Sequence, residues 1–583
     1  MKLINCLTLE VEEFVQDVPP YAILSHTWTK HEVTYRDMNN RKVASRKEGY
    51  PKIVDTCRVA SEYGLEYVWI DTCCIDKSSS AELSEAINSM FAWYKESKIC
   101  IVFLTDFTCF SEETLVEIIA SFDARQALED QEDKFYKDPP PLTTDDINLR
   151  DKVRKELGSC KWFSRGWTLQ ELIAPYHIQF YDKDWNCFGS KLQLASVLSW
   201  ITGVDTRVLS GKPLESVLVG RRMSWASNRT TTRVEDMAYC LLGIFDINMP
   251  LLYGEGKKAF IRLQEEIIKS THDLSIFAWK SDIEDRRLFR GLMASSPSEF
   301  KGCHRLTMPA FIWNDGGEYG ITSKGLRTEG LIRIGRGEPG VGSYYLPLHC
   351  VDERQKKHIL AVKLRQYGPG LFARLQPWPR VTVVDLNVYS AARIVQPQYI
   401  QLKDSPWLDV IVLSSRTNAI QIDVPAHIFD VNSVTAYPQA DWDLRNSILL
   451  SFHRPYFWGM WKAKLKDKDD GIAIVCVRSS GWLLYGIFAL NKFPPGLDRH
   501  NIFPSQVEEI LQRIPDRAVT RCSTYIHTIK DSQINLGEDA REIPATLLQV
   551  SCSKLTQLRN SRSGITRVQN LFKKVDLNGN SSQ

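Results

Sequence analysis

The chain has 583 residues, 43% of them hydrophobic and 25% charged, with 73 basic against 70 acidic side chains and a net charge of +3. That length admits two to four domains, and the composition excludes a disordered scaffold, a collagen-like fibre and a small disulfide-stapled secreted domain. The near balance of charge advertises no diffuse polyanion-binding surface, so nucleic acid is not an expected partner.

Residues 1–14 carry Glu10, Glu12 and Glu13 and no apolar run ahead of a cleavage site, so no signal peptide is predicted. Residues 21–25 form a short apolar run of the kind that makes a buried strand. Residues 52–63 set Ile53, Cys57 and Ala60 at helical spacing, and residues 67–71 form a second apolar run closed by Asp71. Over 81–95, Leu83, Ile87, Met90 and Phe91 share one helical face, and 99–104 is a third apolar run. The interval 107–160 is too long for an ordinary connection and is expected to be an insertion, helical over 111–129 and broken by Pro139, Pro140 and Pro141. A helix over 167–174, stopped by Pro175, then leads to a fourth strand at 177–181. Apolar strands alternating with amphipathic helices predict an α/β domain over 1–190, with a doubly wound parallel sheet covered on both faces.

Residues 191–280 read as a helical extension, with Thr232 and Glu235 spaced as a capping box and Phe260, Leu263 and Ile267 on one face. A polar linker succeeds it at 281–300. Runs rich in β-branched residues at 359–364, 381–384, 409–413, 448–452 and 472–477 predict a β-rich domain over 301–573, a sandwich or barrel. The most apolar stretch, 472–490, is cut by Arg478, Ser479, Ser480 and Gly481, so it reads as two strands and a turn and not as a membrane span. The polar tail 574–583 is expected to be disordered. Fourteen cysteines include no Cys-x-x-Cys pair, which speaks against a structural metal and for free thiols in a cytoplasmic protein.

Formal motifs are few. Gly335, Gly337 and Gly340 fit G-x-G-x-x-G, but a turn and strand come next where a dinucleotide site needs a helix, so the motif reads as a turn. Gly254 and Gly256 ahead of Lys257 lack phosphate-loop spacing and read as a helix-entry turn. Trp69, Trp93, Trp162 and Trp167 read as core aromatics, and the adjacent Cys73 and Cys74 as buried thiols or loop residues. The informative segment is 162–172 (WFSRGWTLQEL), in which Trp167 and Glu171 lie four apart on one helical face. Glu171 comes after the third strand and its insertion. In open α/β sheets the ligand crevice lies beyond the carboxyl ends of the strands, which makes this carboxylate the candidate functional group. The alternative is a helix-terminal carboxylate stabilised by the helix dipole.

Three runs, YAILSHTW (21–28), YVWIDTCCIDK (67–77) and RGWTLQELIAP (165–175), together resemble the fungal heterokaryon incompatibility (HET) domain, and 229–279 resembles the segment directly C-terminal to that domain in many such proteins. The resemblance covers about the first 280 residues. It implies non-self recognition between fused fungal cells and regulated cell death. The HET domain in turn resembles the TIR domain, whose enzymes carry W-C-x-x-E-L with a glutamate essential for cleaving NAD+; here Trp167, Thr168, Glu171 and Leu172 stand in that pattern, with threonine for cysteine. Glu171 is then the implied catalytic residue. Ser25, His26 and Trp28 after the first strand, Asp71, Cys73 and Asp76 after the second, and Trp167 would shape the substrate crevice. NAD+ would be a substrate, with no cofactor and no metal required. The other implied partner is a second copy of the chain or an allelic incompatibility protein. The competing expectation is a non-enzymatic adaptor that signals by self-association.

Overall fold

In a computed structural model of the chain, the described residues are 1–132, 141–281, 284–285, 287–309, 318–334, 344–356, 358–368, 370–375, 382–385, 397–409, 411–412, 420–423, 429–430, 433–437, 442–443, 447–450, 456–464, 471–479, 482–490, 497, 504–513, 525–534, 543–552 and 575–576. The glycine motif at 335–340, Pro139, Pro140 and all of the 574–583 tail except Val575–Asp576 lie outside them. The chain divides into two compact units. The first comprises Met1–Asp282, Met293–Phe311 and His349–Lys356, and the second the remainder.

The first unit is built on a seven-stranded sheet of β1 (Lys2–Asn5), β2 (Val11–Glu13), β3 (Tyr21–His26), β4 (Tyr67–Trp69), β5 (Ile99–Phe103), β6 (Ile178–Tyr181) and β7 (Cys187–Ser190), in the order β2-β1-β4-β3-β5-β6-β7. β3 pairs parallel with β4 and β5, and β5 pairs parallel with β6. β1, β2 and β7 join antiparallel at the edges, so the sheet is mixed where the sequence predicted a parallel one. The reason is local. β3 and β5 are buried at every position, which gives the continuous apolar runs visible in the sequence, whereas β2 and β7 are short, partly exposed and polar.

Helices α1 (Tyr50–Glu62) and α2 (Ser80–Glu96) come after β3 and β4 respectively. α1 begins with Pro51 in its first turn and buries Ile53, Cys57, Val59 and Ala60; α2 is capped by the Ser79 hydroxyl, which accepts from the Glu82 amide. The insertion holds α3 (Glu112–Glu132) and α4 (Thr144–Lys155), the latter opened by a Thr143/Asp146 capping box. Arg150 of α4 packs its guanidinium 4.2 Å from the Phe122 ring of α3. Beyond these come α5 (Thr168–Ile173) and, after a series of short helical turns, α6 (Lys258–Ser270), with Phe260, Leu263 and Ile267 buried as their spacing predicts. Gln264 of α6 exchanges hydrogen bonds of 2.9 Å with both backbone groups of Ala294, so residues after 292 pack into this unit.

In the second unit, two five-stranded sheets share one core. Ile420, Ile422, Trp442 and Leu449 of one sheet pack with Phe457, Trp461, Ala463, Ile472, Ile474 and Cys476 of the other. The opposite face of the Phe457–Lys464/Gly471–Ser479 pair is covered by the helix Pro504–Arg513 through Val507 and Leu511. Gly471–Ser479 and Trp482–Ala489 form the antiparallel pair read from the apolar stretch 472–490. One β-branched run departs from expectation: in 409–413, the described residues 409, 411 and 412 are helical, and the Asp409 carboxylate accepts from the amides of Leu288 and Phe289. Tertiary hydrogen bonding overrides strand propensity there. Among the described residues, no helix is long and apolar enough to cross a membrane.

Candidate functional site

β3 and β5 stay paired to their last residues, His26 and Phe103, but the chain leaves β3 toward β4 on one side and β5 toward β6 on the other, so the connections beyond their carboxyl ends diverge. Side chains just beyond such a divergence line the crevice where ligands of open α/β sheets bind. Ser25 is the penultimate residue of β3. Glu171 of α5, 146 residues further on, reaches it: the Ser25 hydroxyl donates to Glu171 Oε2. The direction of this bond is fixed by a third residue. Trp162 Nε1, a donor only, gives its proton to Ser25 Oγ at 2.7 Å, which leaves the serine proton for the carboxylate.

Glu171 is 8% exposed. Burial pushes its carboxyl up to about 7; the Ser25 hydrogen bond opposes that, the Asp71 carboxylate adds to it, and Arg165 and the Tyr94 hydroxyl pull it back. A buried, hydrogen-bonded carboxyl poised near neutrality makes Glu171 the candidate functional group.

The short helix that carries Glu171 is held by the residues on either side of it. Thr168 Oγ1 lies 2.5 Å from the Trp162 carbonyl and 3.0 Å from that of Arg165, and accepts from the buried Arg229 guanidinium at 2.9 Å. Arg229 also donates to the Arg165 carbonyl at 2.8 Å. The Thr230 backbone bonds Ser164 and Gly166, clamping the loop before α5. Gly166 is required there, since a Cβ would stand 2.5 Å from Thr231 Cγ2 and 3.0 Å from Cys240 Sγ. Trp167 lies beside Asp236, whose carboxyl accepts from Tyr253 at 2.9 Å. Glu235, expected to complete a capping box with Thr232, instead accepts from the amides of Gly254 and Gly256 at 2.9 Å each. The glycine turn is thus filled by a carboxylate of the chain itself.

Just beyond the carboxyl end of β3, Trp28 is 47% exposed and donates from Nε1 to Asp71 Oδ2 at 2.9 Å. Lys77 Nζ sits 3.7 Å from the Trp28 ring centroid and the Arg165 guanidinium 5.4 Å from it. His26 is buried, its Nε2 4.0 Å from carboxylate oxygens of both Glu32 and Asp71 and without a hydrogen bond. Burial, with Lys52, Arg165 and Lys77 nearby, holds its pKa well below the usual histidine value, so the ring is neutral at physiological pH. Glu32 is taken by Lys52 at 2.6 Å.

Of the residues singled out from the sequence, the structure brings Ser25, His26, Trp28, Asp71 and Glu171 together. Cys73 points elsewhere: its thiol is buried, bonds the Val33 carbonyl at 3.3 Å and is pushed up to about 12 by burial. Asp76 orders its own turn by accepting from the amide and hydroxyl of Ser78. Trp167 lies beside Asp236. Sequence reasoning favours a core role for Trp162 over ring stacking, includes Lys77 only as the end of the crevice-shaping run 71–77, and passes over Tyr94, Arg165 and Arg229. For Trp162 and Arg165 the available signal is their place in the same segment as Glu171. Tyr94 and Arg229 carry none. Among the described residues, no group of three or more His, Cys, Asp or Glu could hold a metal ion.

Comparison with known proteins identifies a domain. The description "Heterokaryon incompatibility protein (HET)" matches residues 21–171. That stretch is a HET domain. The matched segment opens at the first residue of β3 and closes at Glu171, so both ends of the Ser25–Glu171 bond lie in the HET domain, while the Arg229 support lies outside it. A domain of unknown function, DUF8212, matches residues 258–310, from α6 past Ala294. The chain is 38% identical over 347 residues to the vegetative incompatibility protein HET-E-1 of Podospora anserina, an alignment covering 58% of this chain and 22% of that relative. The chain therefore spans about a fifth of the relative's length. No solved structure matches significantly.

Proposed function

We propose that the chain acts in fungal non-self recognition, as a vegetative incompatibility effector whose HET domain triggers cell death by cleaving NAD+ at its N-glycosidic bond. The observation that carries this reading is the buried Glu171 carboxyl at the carboxyl end of β3, bonded to Ser25 and raised to about 7. The central strand order, second-first-third-fourth, supports a flavodoxin-like, TIR-like core, and the family match supports the incompatibility role.

The chemistry asks little of the protein. The bond from ribose C1′ to nicotinamide breaks with its electron pair going to the ring, which leaves neutral, so no general acid is needed. Positive charge grows on the ribose, and an oriented carboxylate attracts it more strongly in the transition state than in the ground state. Water adds at C1′ and releases one proton. Glu171 is the only member of its hydrogen-bonded trio with a negative charge to offer; Ser25 orients it and Trp162 orients Ser25. In the resting state the carboxyl is nearly enclosed, which accords with an activity switched on by assembly of copies or by an incompatibility partner.

A second reading takes Glu171 as a structural carboxyl in an adaptor that signals by self-association, and the same enclosure favours it. Expression in a fungal host separates the two. The enzymatic reading expects cellular NAD+ to fall before viability and Glu171→Gln to abolish both effects. Toxicity preserved in a folded Glu171→Gln chain would favour the adaptor.

A further inference from the structure

Three carboxylates and three cations gather around Trp28 and Ser25, and each carboxylate accepts a short hydrogen bond. Asp71 is occupied by the Trp28 indole, Glu32 by Lys52, and Glu171 by Ser25. Two of the cations are held loosely: Lys77 pairs with the same Asp71 only at 3.9 Å, and Arg165 makes no ion pair among the described residues. Both lie against one half-exposed indole ring, which is anchored in turn by its bond to Asp71. Cation–indole contacts hold the ammonium and guanidinium in place while leaving their N–H donors unspent. The same Arg165 and Asp71 act electrostatically on Glu171, and Asp71 lies 4.0 Å from His26, the neighbour in the chain of Ser25, which bonds that carboxyl.

A point charge and a planar fork held side by side suit adjacent phosphates, with guanidinium bidentate on one and ammonium on the next. We propose that Lys77 and Arg165, held against Trp28, form a diphosphate subsite of the Glu171 crevice, for a nucleoside diphosphate or dinucleotide. The proposal deepens the NAD+ reading by naming the part of the substrate that these residues hold. Its binding claim can be tested without any turnover.

Calorimetric titration of the full chain with ADP, ADP-ribose and inorganic pyrophosphate is the test. Saturable, salt-weakened binding is expected, reduced at least tenfold in Lys77→Gln and in Arg165→Gln. Trp28→Leu, which removes the platform but neither charge, is expected to weaken binding to a smaller degree. A response to ADP and ADP-ribose but not to pyrophosphate would place recognition on the nucleoside and overturn the subsite. So would absence of saturable binding, or binding indifferent to both charge substitutions in chains whose circular dichroism matches the wild type. Diphosphate binding that survives alongside an absence of NAD+ cleavage would leave the subsite standing and refute only the glycohydrolase reading.

Discussion

Glu171 is where a single side chain decides most. Its carboxyl titrates near 7 when folded against an ordinary 4.5, so the native chain holds a proton that the unfolded chain has lost between those values. Stability therefore falls as pH rises from about 4.5 through 7, and the cost is fully present above 7. Glutamine keeps an oxygen for the Ser25 hydroxyl and carries no charge. Urea unfolding should accordingly show Glu171→Gln gaining on the wild type by roughly 2–3 kcal/mol between pH 5 and pH 8. An equal difference at both values would mean that the carboxyl is not raised. Ser25→Ala removes the strongest of the side-chain hydrogen bonds that favour the ionised form and orphans the buried Trp162 N–H. It is expected to push the Glu171 carboxyl further up and to cost roughly 1–3 kcal/mol in the same unfolding measurement.

At the scale of elements, the site depends on α5, a helix of six residues too short to hold its own orientation. The segment that begins at Arg229 supplies the support that the helix lacks, through Arg229 on its first turn and Thr230 on the preceding loop. Gly166→Ala is predicted to destabilise by roughly 1–3 kcal/mol, because the new methyl meets Thr231 Cγ2. Thr231→Ser, which removes that methyl, should recover part of the loss in a double-mutant cycle. Strict additivity would show that the contact is not the cause.

The parallel strands were legible in the sequence because full burial on both faces writes an unbroken apolar run. The edge strands were not, because so short a strand with one wet face leaves no such mark. Glu171 was legible through its motif and its place after the third strand. Arg165 and Arg229 were not, since their role arises from packing between segments far apart in the chain, and a lone basic residue in sequence reads as solvated surface.

For the whole molecule, the first unit is not a continuous N-terminal stretch. It takes in Met293–Phe311 and His349–Lys356, with Ala294 bonded to Gln264, and Arg221 paired to Asp205 and Glu353. A fragment ending at residue 282 is therefore predicted to melt well below one ending at 356 in a circular dichroism scan; equal melting temperatures would show that the later segments add nothing to the fold. The central claim, that a HET domain can use Glu171 to cleave NAD+, is tested most directly by nicotinamide release from NAD+ with purified full-length chain, brought together by an induced-dimer tag. Release by the wild type is expected to rise with pH about a midpoint near 7 and to fall at least a hundredfold in Glu171→Gln. Release at the same rate by both proteins, or by neither once assembled, would contradict that claim.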